Sequence, residues 1–157
     1  MHAAHTLIVL LLAAAADRAG DDALQGIKEA KIVYDVTEGD GKLLLGRIET
    51  IEETRQDLIR RGVTPRLVIS FRGGATKLVQ TDMQQVKPED RPNAAKIAAM
   101  LQQMAKSPGM ESIEQCAVAI RHAGTKAENV LPPIKVVANS YITLMAYQSR
   151  GYAYIRP

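Results

Sequence analysis

Aromatic residues and cysteine are scarce in this sequence of 157 residues, which has no Trp, one Phe and one Cys. Leu, Ile, Val, Ala and Met must therefore fill the core, and the single cysteine, Cys116, excludes an intramolecular disulfide. Neither lack prevents folding, because a chain of this length buries about two-thirds of its unfolded surface. The length fits one domain.

Histidine is also scarce, which excludes the common catalytic and metal-binding arrangements. His2 and His5 lie at the N-terminus, so that His122 is left for the rest of the chain. His122 and Cys116 are about 240° apart round a helix, so we expect them not to share a helix face and expect His122 at the surface. No cluster of Cys, His and carboxylates has metal-ligand spacing, and no nucleotide-binding or nucleophile-elbow motif occurs. We predict no metal and no cofactor.

No segment carries a run of one charge sign. The net charge is +3, but basic and acidic residues are interleaved, as in Lys87, Glu89, Asp90 and Arg91. A nucleic-acid-binding surface needs clustered basic residues, whereas interleaved charges are typical of a solvated face. We therefore predict no nucleic-acid partner.

The longest apolar run, residues 6–16, is too short to span a bilayer core of about 30 Å. It ends in alanines that offer an A-x-A cleavage site before Asp17, although no Lys or Arg precedes it. We predict a cleaved secretory signal peptide over residues 1–16, hence a periplasmic or otherwise exported protein with no stable membrane insertion after cleavage. A retained anchor and a misassigned start remain as alternatives. The polar residues 17–26 are predicted to form a flexible tether.

After the tether, apolar runs of strand length alternate with stretches of helical period, the pattern of βαβ units. Strands are predicted at 31–36, 67–71, 110–116, 134–138 and 152–155, and helices at about 42–61, 93–106, 117–124 and 141–150. Residues 75–86 fit either a helical turn or an edge segment. In the first helix the predicted core stripe is Leu44, Ile48, Ile51, Leu58 and Ile59. The sequence therefore predicts an α/β fold with a mostly parallel five-stranded sheet.

Polar and glycine residues follow several of the predicted strands, where ligands bind in open parallel sheets. Cys116 ends the third strand, and the other pocket candidates are Arg72, Gly73, Gly74, Asn139 and Ser140. A thiol between a strand and a helix lies near free N–H groups, which stabilise the reactive thiolate. Arg72, if it lies close to Cys116, would also stabilise the thiolate. The alternative is that Cys116 is an inert, buried hydrophobic residue.

The chain resembles the DsrE/DsrF-like family over about residues 27–157, most strongly at its C-terminus. The resemblance lies in Ile-Lys-Val-Val-Ala-Asn-Ser at 134–140 and Gly-Tyr-Ala-Tyr-Ile-Arg-Pro at 151–157, with Gly73, Gly74 and Cys116 fitting the same layout. It implies a flavodoxin-like three-layer sandwich that forms homotrimers or hexamers. It also implies that Cys116 carries sulfur as a persulfide and passes it to a thiol-bearing partner protein.

Two functional hypotheses follow. The first is a sulfur carrier or sulfurtransferase-like protein with Cys116 as the persulfide-forming nucleophile. The second is a non-catalytic module that binds a small ligand or builds an oligomer, in which Cys116 is inert. The sequence leaves open whether the protein is an enzyme.

Overall fold

The structure, a computed structural model, describes residues 22–157. The predicted signal peptide, residues 1–16, and residues 17–21 of the predicted tether lie outside the described residues. The rest of the tether includes a short 3-10 helix, Asp22–Leu24. None of the helices in residues 22–157 is both long enough and apolar enough to cross a membrane.

Residues 22–157 form one sheet of five parallel strands in the order β4-β3-β2-β1-β5. The strands are β1 (Glu29–Val36), β2 (Thr64–Phe71), β3 (Met110–Cys116), β4 (Lys135–Val137) and β5 (Ala153–Ile155). The α-helices between them are α1 (Gly41–Arg60), α2 (Arg91–Met104), α3 (Ala117–Ala123) and α4 (Ser140–Ser149). The predicted α/β fold with a five-stranded parallel sheet is confirmed.

The larger core lies on the sheet face that α1, α2 and α3 cover. Leu44, Ile48 and Ile51 of α1 are buried there at helical spacing. The prediction that Ile59 joins this stripe is wrong, because Ile59 is 44% exposed. It lies about 100° round the helix from its buried neighbour Leu58, in the last turn of α1.

The opposite face is covered by α4, because the chain crosses the sheet in the reverse direction between β4 and β5. A right-handed connection then places its helix on the other side. The second core is small and consists of Val33, Val68, Leu144 and Tyr152, with Tyr147 packed against it. Parallel sheets are covered on both faces, and this arrangement gives the three layers of the sandwich.

Polar residues are buried beside this second core. The hydroxyl of Tyr147 donates to Glu114 at 2.8 Å, and Glu114 is 3% exposed. Burial and the neighbouring Glu114 carboxylate raise the pKa of Tyr147 to about 12. The hydroxyl of Tyr152 donates to Glu111 on the same strand, β3.

The loops after β1 and β2 pack closely against each other. The Cβ of an alanine at position 74 would lie 2.7 Å from the Cα of Gly39, so these two backbones can approach only because neither residue has a side chain. Gly73 has φ +57°, in the left-handed region that glycine tolerates. Residues 75–86, ambiguous in sequence, begin within a 3-10 helix, Gly73–Lys77, and include a second one, Met83–Gln85. Between the two, Gln80 forms an isolated antiparallel bridge with Val130.

Candidate functional site

Cys116 is the last residue of β3 and the N-cap of α3. Its extended backbone, with φ −72° and ψ 120°, ends the strand and lets the helix begin at the next residue. The residue is 3% exposed, and its thiol is free. The backbone N–H of Ser140 donates a hydrogen bond to its Sγ at 3.3 Å.

The environment of the thiol lowers the pKa of Cys116 from its ordinary value. Burial has the largest single effect and acts in the opposite direction, because it disfavours the charged form. The side chain and backbone N–H of Ser140, together with the N–H groups of Ala119 and Val118, outweigh it. The free amides at the start of α3 and α4 therefore converge on one sulfur atom.

Ser140 holds its position because α4 begins beside the end of β3. Asn139 is the N-cap of α4, and its Oδ1 accepts a hydrogen bond from the N–H of Tyr141 at 3.0 Å. Ser140 is 1% exposed, and its Oγ makes no hydrogen bond of standard geometry. Because a hydroxyl rotates freely, this donor can turn toward a negative charge on the sulfur beside it.

Arg72 follows β2 and forms an ion pair with Asp35 of β1. Its Nε and Nη2 donate to Oδ1 and Oδ2 of Asp35 at 2.7 Å and 2.6 Å. Asp35 is fully buried and also accepts a hydrogen bond from the hydroxyl of Tyr154 at 2.5 Å. The Arg72 guanidinium lies 5.0 Å from the ring centroid of Tyr141. Arg72 therefore neutralises a buried carboxylate, and the groups that lower the pKa of Cys116 are Ser140 and the amides of α3.

A cavity of about 520 Å³ lies at the carboxyl ends of β2 and β3. It brings together all six residues that the sequence suggested: Arg72, Gly73, Gly74, Cys116, Asn139 and Ser140.

The same cavity is lined by residues that the sequence did not suggest. Lys77 lies in the 3-10 helix after β2, within a stretch without clear periodicity. Tyr141, Val118 and Ala119 reach the cavity because α3 and α4 both begin there. The polar pair Asn139 and Ser140 at the start of α4 was the available signal for Tyr141, whereas α3 begins with apolar residues that give no such signal.

His122 is exposed, as expected, but it lines the same cavity as Cys116. Cys116 precedes the first turn of α3, so the angular rule for residues within a helix does not separate the two. Within residues 22–157, no group of three or more His, Cys, Asp or Glu side chains is placed to hold a metal ion.

The fold and the cavity define a parallel α/β protein with a single thiol at the strand ends, held by the amides of two helix starts. The model of the DsrE/DsrF-like family matches residues 10–157, so the chain belongs to this family.

A curated relative, an uncharacterized protein of Aquifex aeolicus (strain VF5), is 26% identical over 125 residues. The match covers 80% of this chain and 55% of the relative, so the chain spans about half the length of that protein. A solved structure, the protein of unknown function MTH1491 from Methanobacterium thermoautotrophicum, is similar with a TM-score of 0.59 and 18% identity. That match covers 82% of this chain and 99% of the other, and it supports the fold.

Proposed function

We propose that this protein is a sulfur carrier of the sulfurtransferase-like kind, with Cys116 as the nucleophile that forms a persulfide. The observation that carries the proposal is the hydrogen bond from the Ser140 N–H to Sγ, at the end of an open cavity. A thiolate is the reactive form of cysteine, and amide donors favour it. Membership of the DsrE/DsrF-like family is consistent with a role in sulfur relay.

The reaction balances without an external oxidant. The thiolate of Cys116 attacks a sulfane sulfur of the donor, the sulfur–sulfur bond of the donor breaks, and the shortened donor leaves with the electron pair. A thiolate of a partner protein then attacks the outer sulfur of the persulfide, and the Cys116 thiolate leaves. The outer sulfur lies about 2.05 Å from Sγ, and the cavity of about 520 Å³ has room for it.

Intact-mass spectrometry after incubation with inorganic polysulfide tests this proposal. We expect the wild type to gain about 32 Da, one sulfur atom, and to lose it on treatment with a reductant. Cys116→Ala and Cys116→Ser should gain nothing, and circular dichroism checks that both variants are folded. No adduct on the wild type, or an equal adduct on the variants, would refute the proposal.

The alternative, a non-catalytic binding or assembly module, is favoured by a different observation. Tyr141, Ile142 and Met145 of α4 are exposed by 65%, 61% and 55%, an apolar face on one short helix. We infer that this face is the contact of a homo-oligomer, a trimer or hexamer as the family resemblance implies. An inert Cys116 would fit this alternative, and the mass experiment separates the two functions.

Light scattering of the full chain tests the oligomer. We expect an oligomeric wild type that Ile142→Glu and Met145→Glu dissociate, because a charge disfavours an apolar contact. Leu43→Glu is the matched control, since Leu43 is 52% exposed on α1, on the other side of the sheet. A monomeric wild type, or equal dissociation by the control, would contradict the assignment.

We also infer export, from the apolar residues 6–16 and the alanines that end them. The family match begins at residue 10 and so includes part of this segment. N-terminal sequencing of the protein recovered from a bacterial periplasm should begin at Asp17. Recovery in the cytoplasm with the segment intact would contradict export.

A further inference from the structure

The cavity beside Cys116 is basic. Lys77 and His122 are exposed and lie along it. Within residues 22–157, none of the residues that line it is Asp or Glu. A cleft lined by one sign of charge raises the local concentration of the opposite ion.

Arg72 and Lys77 are both positively charged, but they are not equally free to bind an anion. The guanidinium of Arg72 is neutralised by Asp35 through two hydrogen bonds. Lys77 forms no ion pair with any residue in the described part of the chain. Among the described residues along this cavity, Lys77 is therefore the permanent charge that remains free to meet a ligand.

A second, independent feature of the cavity also suits an anion. Ser140 lines the cavity, is 1% exposed, and its hydroxyl has no hydrogen-bond partner of standard geometry. Buried hydroxyls are usually paired, and an unpaired one costs free energy. The single hydrogen of this hydroxyl can turn to the Cys116 thiolate or, once Sγ has lost its charge, to a ligand oxygen or an anionic sulfur in the cavity.

We propose that the cavity binds a small anion beside Cys116 and that Lys77 selects anionic sulfur donors over neutral ones. The donor class is a sulfane-sulfur compound with an oxyanion or carboxylate head group. The selection of sulfur donors rests on the proposed function, whereas the binding of an anion does not.

The charge changes of the transfer step agree with this assignment. The Cys116 thiolate attacks the sulfane sulfur, the bond from that sulfur to the rest of the donor breaks, and the rest of the donor, which carries the anionic head group, leaves with the electron pair. The negative charge lost by Sγ thus appears on the leaving group in the cavity, while the outer persulfide sulfur keeps the charge that it carried in the donor. A cation and a hydroxyl donor along the cavity stabilise these charges, and the step needs no further oxidant, reductant or proton.

Alkylation of Cys116 by two reagents that differ in charge tests the anion site without any sulfur chemistry. Iodoacetate is anionic and iodoacetamide is neutral, and both modify the same thiolate. In native wild type we expect the ratio of their rate constants, iodoacetate over iodoacetamide, to exceed that of the unfolded protein. Lys77→Gln should lower this ratio by a factor on the order of ten, the low end of the range for a charged cleft. Lys96→Gln is the control, because Lys96 is exposed on α2 and lies away from the cavity.

Sulfate serves as an unreactive oxyanion. At matched ionic strength, we expect sulfate to slow iodoacetamide modification of the wild type more than chloride does, and Lys77→Gln to lose this protection.

Three results would overturn the anion site: a native ratio no higher than that of the unfolded protein, equal effects of Lys77→Gln and Lys96→Gln, or no native reaction with either reagent. The proposed function fails separately. A charge preference without a polysulfide adduct would leave the anion site standing and refute the sulfur carrier. A polysulfide adduct without a charge preference would leave the sulfur carrier standing and refute the anion site.

Discussion

The backbone N–H of Ser140 donates a hydrogen bond to the Sγ of Cys116 at 3.3 Å. The two residues are 24 positions apart in sequence. They meet because β3 ends, and α4 begins, at the same edge of the sheet. A thiol that is 3% exposed would ordinarily be an inert hydrophobic residue. The amide donors make it a group whose charged form the fold favours.

Removing the hydroxyl of Ser140 should raise the pKa of Cys116, since that side chain is among the groups that lower it. At mildly acidic pH we expect Ser140→Ala to react with iodoacetamide on the order of tenfold more slowly, because a hydrogen bond to a charged group contributes about 1.5–3 kcal/mol. Ser149→Ala, at the exposed end of α4, is the control and should behave like the wild type. A rate profile of Ser140→Ala that coincides with the wild type would rule out this role.

The stability of the fold should depend on pH through Cys116. Its pKa is lower in the folded state, so between the folded and unfolded pKa values the unfolded state binds more protons. The contribution of Cys116 is therefore complete above the unfolded pKa and is lost as the pH falls through the folded pKa. Urea unfolding of wild type and Cys116→Ala measures it, and the free-energy difference should grow in favour of the wild type as the pH rises through the folded pKa toward the unfolded value of about 8.5. A difference that is constant or shrinks would contradict the assignment, because other titrating groups are common to both proteins.

Arg72 should matter for stability. Asp35 is fully buried, and removal of its partner would leave an uncompensated charge. Arg72→Ala should therefore lower the free energy of unfolding by about 3–5 kcal/mol. Arg60→Ala is the matched control, because Arg60 pairs with Asp57 at the exposed surface and should contribute at most about 1 kcal/mol. If urea unfolding gave equal losses of unfolding free energy for the two variants, the buried pair of Arg72 and Asp35 would contribute no more than a surface pair.

Alanine substitutions at two glycines should change the stability of the fold in opposite directions, because one glycine lies where the loops after β1 and β2 touch and the other does not. Gly74→Ala should destabilise the fold, because its Cβ would lie 2.7 Å from the Cα of Gly39 and the backbone must shift. Gly46→Ala should stabilise it by about 0.5–1 kcal/mol, since Gly46 is inside α1 with nothing within 4 Å of an added Cβ. Thermal unfolding of both variants measures the signs. A neutral Gly74→Ala would mean that the two loops are free to move apart.

Periodicity and strand-end chemistry predict most of this architecture. The third strand has the bounds that the sequence indicates, 110–116, because Pro108 and Gly109 precede it and a helix starts directly after it. The six candidate residues lie in one cavity because parallel strands bring their carboxyl ends to one edge.

Long-range partners could not be predicted from the sequence. Asp35 lies inside a strand, and nothing local indicates that Arg72, 37 positions later, binds it. Because Arg72 follows a strand end, the sequence suggested that it stabilises the Cys116 thiolate. The register of β1 and β2 instead places Arg72 beside the Asp35 carboxylate. Lys77 was missed because a 3-10 helix of five residues has too few turns to show a period.

A sulfur carrier built on Cys116 requires this residue to become a thiolate more readily in the folded protein than in the unfolded chain. The most direct measurement compares the pH dependence of iodoacetamide modification of this thiol in native protein and in urea. We predict a native midpoint at lower pH than the unfolded midpoint, with the native thiol reached through the cavity. Coincident midpoints, a native midpoint at higher pH, or a native thiol that never reacts would contradict the account.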